Sequence, residues 1–349
     1  MDTRWNRLWP LCLLAALVLL LPGCQTAGYY AQAIRGQGEI LAHRRPIDKL
    51  LADPQTPPPL QEKLRLVLRL REFAARELKL PANGHYLRYV ELHRRFVVWN
   101  VEAAPEFSLK AKAWRYPIVG RLTYRGYFSE AAAQRYAASL ARRGLDISVE
   151  GIEAYSTLGW FKDPVLSSFI HHHETALAEI IFHELAHQRL FISGDTDFNE
   201  AFATAVAEEG VRRWLHAQGN PAAWERYEIN RRRHGEFLQL IDETRRELEV
   251  LYTSGQSAVE LKRRKAEIFT ALRTRYEQRQ GAWAGTRDYD EWFALPLNNA
   301  RLNTVATYYD LVPAFQRRLA ANDGDLEKFF REIKALAKLA KAERHRRLE

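Results

Sequence analysis

The chain has few sulphur-containing residues, with 2 cysteines and 1 methionine among its 349 residues. Cys12 lies in an apolar run from Leu8 to Leu21 that follows Arg4 and Arg7. This run is too short to span a membrane comfortably and is typical of an export signal. Removal of the signal would leave Cys24 as the last cysteine, so the exported chain would have neither an internal disulfide nor a cysteine metal ligand. Its fold must therefore depend on core burial.

The sequence Leu21-Pro22-Gly23-Cys24 resembles the lipobox of bacterial lipoproteins. The resemblance implies that residues 1–23 are a signal peptide, that cleavage occurs before Cys24, and that the Cys24 thiol carries a lipid. Gln25 follows the cysteine, where an Asp would retain the protein at the inner membrane of enteric-type bacteria. We therefore expect an exported lipoprotein at the outer membrane, facing the periplasm. A plain signal peptide and an anchor helix stay open as alternatives.

The net charge of +9 is strongly basic. In an intracellular protein this balance would suggest a nucleic-acid partner. In an exported lipoprotein, attraction to anionic headgroups and plain solubility are the expected uses of the charge. We predict no nucleic-acid partner.

The segment from Glu174 to Phe191 has apolar residues at helical spacing and contains His183-Glu184-Leu185-Ala186-His187. This H-E-x-x-H pattern is typical of zinc-dependent hydrolases. Residues four apart lie on one helix face, so both imidazoles can reach one ion. Glu184 projects about 100° away from His183 and is predicted to be the general base that activates water. The alternative is an ordinary core helix that happens to carry two histidines.

Glu200 is the predicted third ligand of one zinc ion per chain. The chain turns at Ser193-Gly194-Asp195, and only 12 residues separate His187 from Glu200. We therefore expect a tight loop that brings Glu200, in the first turn of the next helix, close to level with His187. Glu208 follows two turns later, and two interpretations stay open for it: an acid close to the site, or a solvated charge.

The segment Asn199-Glu200-Ala201-Phe202-Ala203 resembles the N-E-x-F-A signature of gluzincins. The metzincin class is excluded because it needs a methionine turn beneath the metal, and Met1 is the single methionine. With the lipobox, the whole pattern is similar to a family of predicted zinc aminopeptidases that occur as lipoproteins in Gram-negative bacteria. This resemblance implies a zincin-like metallopeptidase with a peptide substrate. The G-x-M-E-N strand whose glutamate binds the free amine in well-studied gluzincin aminopeptidases is absent here, so cleavage at the N-terminus and internal cleavage both stay open.

The fold class we predict is α+β and predominantly helical, with a small sheet before the motif helix and a long charged helical hairpin after it. The predicted strands are rich in aromatic and β-branched residues, and they span 86–92, 96–101, 113–127 and 145–155. The predicted regions after the signal peptide are N-terminal helices (24–84), the core with both motif helices (85–220), the hairpin (221–281) and C-terminal helices completing the core (282–349). A basic tail is expected to close the chain.

Further candidate site residues lie outside the two motifs. Gly159 and Trp160 are expected at an edge strand and loop that bind the substrate backbone, although an ordinary surface loop fits them equally. Tyr308 and Tyr309 are candidates for stabilising the oxyanion, and a core-packing tyrosine is the alternative. Asn298 and Asn299 are candidates for holding the substrate backbone.

The function that these patterns favour is a membrane-anchored zinc peptidase, which the resemblance classes as an aminopeptidase. One alternative is a zinc-binding or catalytically silent scaffold that contacts an envelope partner through the charged hairpin. The other is a metal-dependent amidase that acts on cell-wall peptide.

Overall fold

The computed structural model describes residues 24–116, 120–154, 157, 161–283 and 286–348. The chain is 61% helical with small sheets, so the predicted α+β, predominantly helical class is confirmed. The helices are α1 (Cys24–Ala42), α2 (Ile47–Ala52), α3 (Pro58–Arg76), α4 (Glu130–Ala141), α5 (Glu174–Arg189), α6 (Thr196–Ala217), α7 (Pro221–Tyr252), α8 (Ala258–Ala282), α9 (Asp290–Ala294), α10 (Asn299–Tyr309), α11 (Val312–Ala321), α12 (Leu326–Leu336) and α13 (Lys341–Leu348).

The strands precede α5, as the sequence predicts, and form small sheets. They are β1 (Arg45–Pro46), β2 (Arg88–Val90), β3 (Val98–Pro105), β4 (Trp114–Tyr116), β5 (Gly120–Leu122), β6 (Tyr124–Tyr127), β7 (Leu145–Ile152) and β8 (Val165–Leu166). In one sheet β3 is central and pairs antiparallel with β6 and β7. Its register places Glu102 opposite Tyr124. This pairing brings β6 into the sheet.

The two motif helices, α5 and α6, pack together in the main core. Residues of α6 are buried on almost all sides, including Phe198, Phe202 and Val206. A helix that is apolar all round belongs in a core, so α6 is enclosed by its neighbours. At Gly210 a Cβ atom would lie 2.7 Å from the Phe182 ring of α5. The absence of a side chain there allows α6 to approach α5 closely.

The long helices α7 and α8 form the charged hairpin that the sequence predicts. They share a second apolar cluster with α9 and α10, in which Leu248 of α7 and Leu272 of α8 are fully buried. Ion pairs also join the two helices, as in Arg275 with Glu247 and Arg279 with Glu236. The hairpin is therefore held by its own core and by charge pairs on its surface.

The sequence predicts a basic tail after the last helix, and this prediction is wrong because the segment forms the helix α13. Leu348 is 1% exposed and the Arg344 side chain is buried. The Arg344 guanidinium donates to Asp195 at 2.9 Å, in the loop between α5 and α6. The sequence did not reveal this contact, because it depends on Asp195, a buried acid in a distant part of the chain.

The described helices are all too short or too polar to cross a bilayer. The predicted signal peptide, residues 1–23, lies outside the described residues, and so does the side chain of Cys24. The lipid attachment predicted at Cys24 stays a prediction.

Candidate metal centre

Helix α5 places His183 and His187 one turn apart on the same face. The helix is capped by His173, whose ring nitrogen accepts the backbone N–H of Ala176. Buried Ile181, Phe182 and Leu185 fix the opposite face in the core. The two imidazoles therefore point together from a rigid helix, as the sequence predicts.

Glu200 comes to the same place from the first turns of α6. Its Oε2 lies 3.2 Å from His183 Nε2 and 3.4 Å from His187 Nε2, and the two histidine Nε2 atoms are 3.2 Å apart. Zinc held tetrahedrally by nitrogen and oxygen ligands keeps such atoms about 3.3 Å from one another. Among the described residues these three form the cluster with metal-ligand geometry.

The short loop between α5 and α6 is held by two buried polar residues. The Asn199 side chain accepts the backbone N–H of Ile192 and donates to the carbonyl of the same residue, both at 2.8 Å. Asp195 is 1% exposed and contacts Lys341, Arg344 and His345 of α13. These contacts make the turn tight enough for Glu200 to lie level with the histidines.

The electrostatics of the cluster favour an ionised Glu200. Burial raises the pKa of this carboxyl, but the neighbouring His187 and His183 outweigh burial and lower it well below its usual range. An anionic carboxylate beside two imidazole nitrogens is a donor set that suits a divalent zinc ion.

Glu184 is placed beside the cluster and is not part of it. Its Oε2 is buried and has no hydrogen-bond partner within the described part of the chain. Burial raises the pKa of Glu184 to about 8; His183 lowers it, whereas Glu200 and Asp163 add to the increase. A buried, unsatisfied acceptor is costly, so this atom marks a place where a water or a substrate group is needed. The residues present therefore fit a zinc ion with an acceptor for water next to it.

Tyr124 is a candidate site residue that the sequence did not single out. It belongs to β6, and burial together with the negative charges of Glu200 and Glu184 raises its pKa. Its phenol is thus within range of the charges of both acids and stays protonated, as a hydrogen-bond donor. In the sequence, Tyr124 is one of many aromatic residues in a segment predicted to form strands, so nothing distinguishes it. Only the pairing of β6 with β3 brings it to the cluster.

Other predicted residues have contacts within the fold. Tyr309 packs on His234 at 4.5 Å between ring centroids, and burial, followed by the charges of Glu179 and Glu208, raises its pKa. Asn299 is fully buried, donates to the carbonyls of residues 105, 106 and 108, and accepts the hydroxyl of Tyr252. Asn298 donates to the Ile147 carbonyl and caps α10.

Both asparagines therefore join α10 to the sheet, and Asn299 also joins it to the hairpin. Their amide groups make these contacts within the protein in place of the predicted substrate contact. Gly159, Trp160 and the side chain of Tyr308 lie outside the described residues.

The fold and the site define a predominantly helical α+β protein with a buried two-histidine, one-glutamate cluster and an adjacent acid. Residues 28–348 match the model of the family described as Putative aminopeptidase. The chain therefore belongs to this family, which indicates a peptidase. Searches of curated proteins and of solved structures found no match.

Proposed function

We propose that the protein is a zinc-dependent peptidase, held at the outer membrane by a lipid on Cys24. The observation that carries the catalytic part is the approach of three ligand atoms of His183, His187 and Glu200 to within 4.8 Å of one another beside the unpartnered Glu184 carboxylate. Family membership supports peptide hydrolysis. The lipobox supports the anchor, and detergent partitioning of the wild type but not of Cys24→Ala tests it.

In this proposal His183, His187 and Glu200 hold the metal. Bound zinc supplies a Lewis acid that polarises the peptide carbonyl and makes water more acidic. Glu184 accepts the proton of the attacking water and passes it to the leaving amine. Glu184 is half-buried, and its Oε2 atom is shielded from bulk water beside the proposed metal site.

Tyr124 is proposed to donate a hydrogen bond to the carbonyl oxygen as it becomes an oxyanion. Loss of one such donor costs about 100-fold in kcat. We therefore expect Tyr124→Phe to lower kcat by about this factor without changing the zinc content. Tyr127→Phe is the matched control, since Tyr127 lies on the same strand but packs on Tyr29 and Tyr136. Equal losses in both variants would assign Tyr124 a structural role only.

The proposed function is tested with the soluble chain that begins at Gln25. About one zinc per chain is expected, together with cleavage of members of a peptide library that stops when a chelator removes the metal and returns with zinc. A chain that binds no zinc would overturn the proposal. A zinc-loaded chain that digests cell-wall peptide but no library member would replace the peptidase with an amidase.

A further inference from the structure

The helix α13 contacts the start of the helix that carries the predicted ligand Glu200. The N-cap residue of α6 is Asp195, whose side chain makes no capping hydrogen bond. An aspartate at this position usually accepts a backbone N–H of the first helical turn. Both oxygens of this acid are instead in contact with α13, through Lys341, Arg344 and His345. We call these three residues the C-terminal clamp, because they join α13 to α6.

Arg344 is the central residue of the clamp. Its Nε donates to Asp195 Oδ2 at 2.9 Å, and its Nη2 lies at the same distance from that oxygen. Its Nη1 donates to the carbonyls of Ala337 and Leu339 at 3.0 and 3.1 Å, in the segment that leads into α13. The side chains of Arg344 and Asp195 are 5% and 1% exposed. Loss of one partner from a buried pair leaves a charge uncompensated, so this pair resists separation of the two helices.

Two further residues in the first turn of α6 contact the same helix. Asp197 Oδ2 lies 3.3 Å from Lys341 Nζ. The Arg344 Cζ atom lies 5.4 Å from the centroid of the Phe198 ring, and the His345 ring lies 6.3 Å from it. The predicted glutamate ligand follows Phe198 by two residues. The turn that leads to this ligand is therefore fixed to α13 by ionic and aromatic contacts.

The same turn is joined to the loop that comes from α5. The Asn199 side chain bonds both backbone groups of Ile192 at 2.8 Å. Helix α5, which carries both histidines, ends three residues earlier at Arg189. The clamp and Asn199 thus act on one short piece of chain, with the histidines before it and Glu200 after it.

A zinc site tolerates little displacement of its ligands, since Zn–N and Zn–O bonds are about 2.0–2.2 Å long. His183 and His187 are on one helix, so their spacing is set locally. Glu200 is on another helix, and its Oε2 lies 3.2 and 3.4 Å from the two Nε2 atoms. The position of α6 relative to α5 therefore decides whether the three atoms can share one ion. Residues that orient a ligand from outside the metal site typically change metal affinity by about 10- to 100-fold.

We propose that the C-terminal clamp, and Arg344 above all, is a positioning element of the metal centre, which sets the zinc affinity through Glu200 without contacting the metal. This inference rests on the proposed zinc site and adds to it a control of metal loading by α13. The residues that carry this control lie about 140 residues after the ligand that they position, in a segment that has no metal-binding motif of its own.

The test measures zinc affinity by competition with a chromogenic chelator in wild type, Arg344→Met and the control Lys265→Met. Lys265 forms a comparable buried pair with Asp146 at 2.6 Å, between α8 and β7. Arg344→Met should weaken zinc binding by about 10- to 100-fold. Lys265→Met should bind zinc as tightly as wild type. Both metal-free variants should melt at a lower temperature than wild type, because each leaves a buried acid without one of its partners.

Three further readouts separate positioning from general damage. Arg344→Lys retains the charge opposite Asp195 and should recover part of the zinc affinity, but not all of it, because lysine lacks the guanidinium fork. At saturating zinc, Arg344→Met should regain the kcat of wild type, since the proposed ligands and Glu184 are unchanged. In the metal-free chain, hydrogen exchange at the backbone N–H of Ile192 should be faster in Arg344→Met than in Lys265→Met.

Lys341→Met is the milder variant, which keeps the test decisive where Arg344→Met does not fold. The Lys341 side chain is half exposed and lies 2.9 Å from Asp195 and 3.3 Å from Asp197. Its replacement should weaken zinc binding by a smaller factor than Arg344→Met. The matched control is Lys338→Met, at an exposed lysine between α12 and α13, and it should leave zinc affinity unchanged.

The outcomes separate this proposal from the proposed function. Wild-type zinc affinity in Arg344→Met, or in Lys341→Met where the first variant does not fold, would overturn the clamp's role and leave the peptidase intact. Equal losses of affinity in Arg344→Met and Lys265→Met would do the same. Zinc affinity that depends on Arg344, in a wild-type chain that cleaves no peptide, would support the clamp and reject the peptidase. A wild-type chain that binds no zinc would overturn both.

Discussion

Glu184→Gln is expected to lose peptide hydrolysis by a factor of about 10² to 10⁴, the range in which a general base contributes to catalysis. Glutamine has nearly the same size and cannot take a proton from water. The three predicted ligand atoms belong to His183, His187 and Glu200, so the substitution leaves the donor set complete. The zinc content should therefore equal that of wild type, and the loss should appear in kcat at saturating substrate.

The buried environment makes this a clean substitution. In the metal-free chain burial raises the pKa of Glu184, so a neutral side chain is tolerated at this position. A neutral amide should consequently fold at least as stably, and the melting temperature serves as the control. Full hydrolysis by a zinc-loaded Glu184→Gln chain would remove the general-base role from Glu184. An unchanged cellular role of Glu184→Gln without hydrolysis would instead favour the scaffold interpretation.

The metal ligands could be predicted from sequence because local geometry determines most of their arrangement. Two histidines four apart on a helix converge whatever surrounds them, and a short connection forces the next helix to return beside the first. The sequence also required a tight loop. It did not indicate that Asn199 would hold this loop by two hydrogen bonds to Ile192.

The residues that sequence reasoning missed depend on contacts between distant parts of the chain. Strand pairing brings Tyr124 within range of the charges of the acids of the site. Arg344 is 149 residues from the Asp195 that it binds. A periodic pattern in one segment contains no information about these partners, so such residues look like ordinary aromatic or charged positions.

Asn298 and Asn299 are residues to which the sequence analysis assigned a role at the site, whereas the structure shows them in contacts within the protein. Polar residues at a helix start were interpreted as substrate contacts, but a buried amide is often needed to satisfy backbone groups. Asn299 donates to three carbonyls at the end of β3 and just after it, those of Pro105, Glu106 and Ser108. Residue type alone does not separate these two uses.

Glu200→Gln should produce the largest change in metal binding. Changes outside the ligand set cost about 10- to 100-fold in metal affinity, and loss of an anionic ligand should exceed this range. Zinc at 1,000 times its Kd stabilises a folded chain by about 4 kcal/mol, so wild type should melt at a clearly higher temperature with zinc than with chelator. In Glu200→Gln most of this difference should disappear at the same zinc concentration.

The matched control for this experiment is Glu209→Gln on the same helix. Glu209 pairs with Arg212 and Arg213 at 2.7 and 2.6 Å, away from the histidines, so its loss should leave the zinc-dependent increase in melting temperature unchanged. An undiminished increase in Glu200→Gln would require the third ligand to come from another residue. The short connection that brings Glu200 level with His187 would then serve packing alone, and the approach of its carboxylate to two imidazole nitrogens would be an ion pair of the metal-free chain.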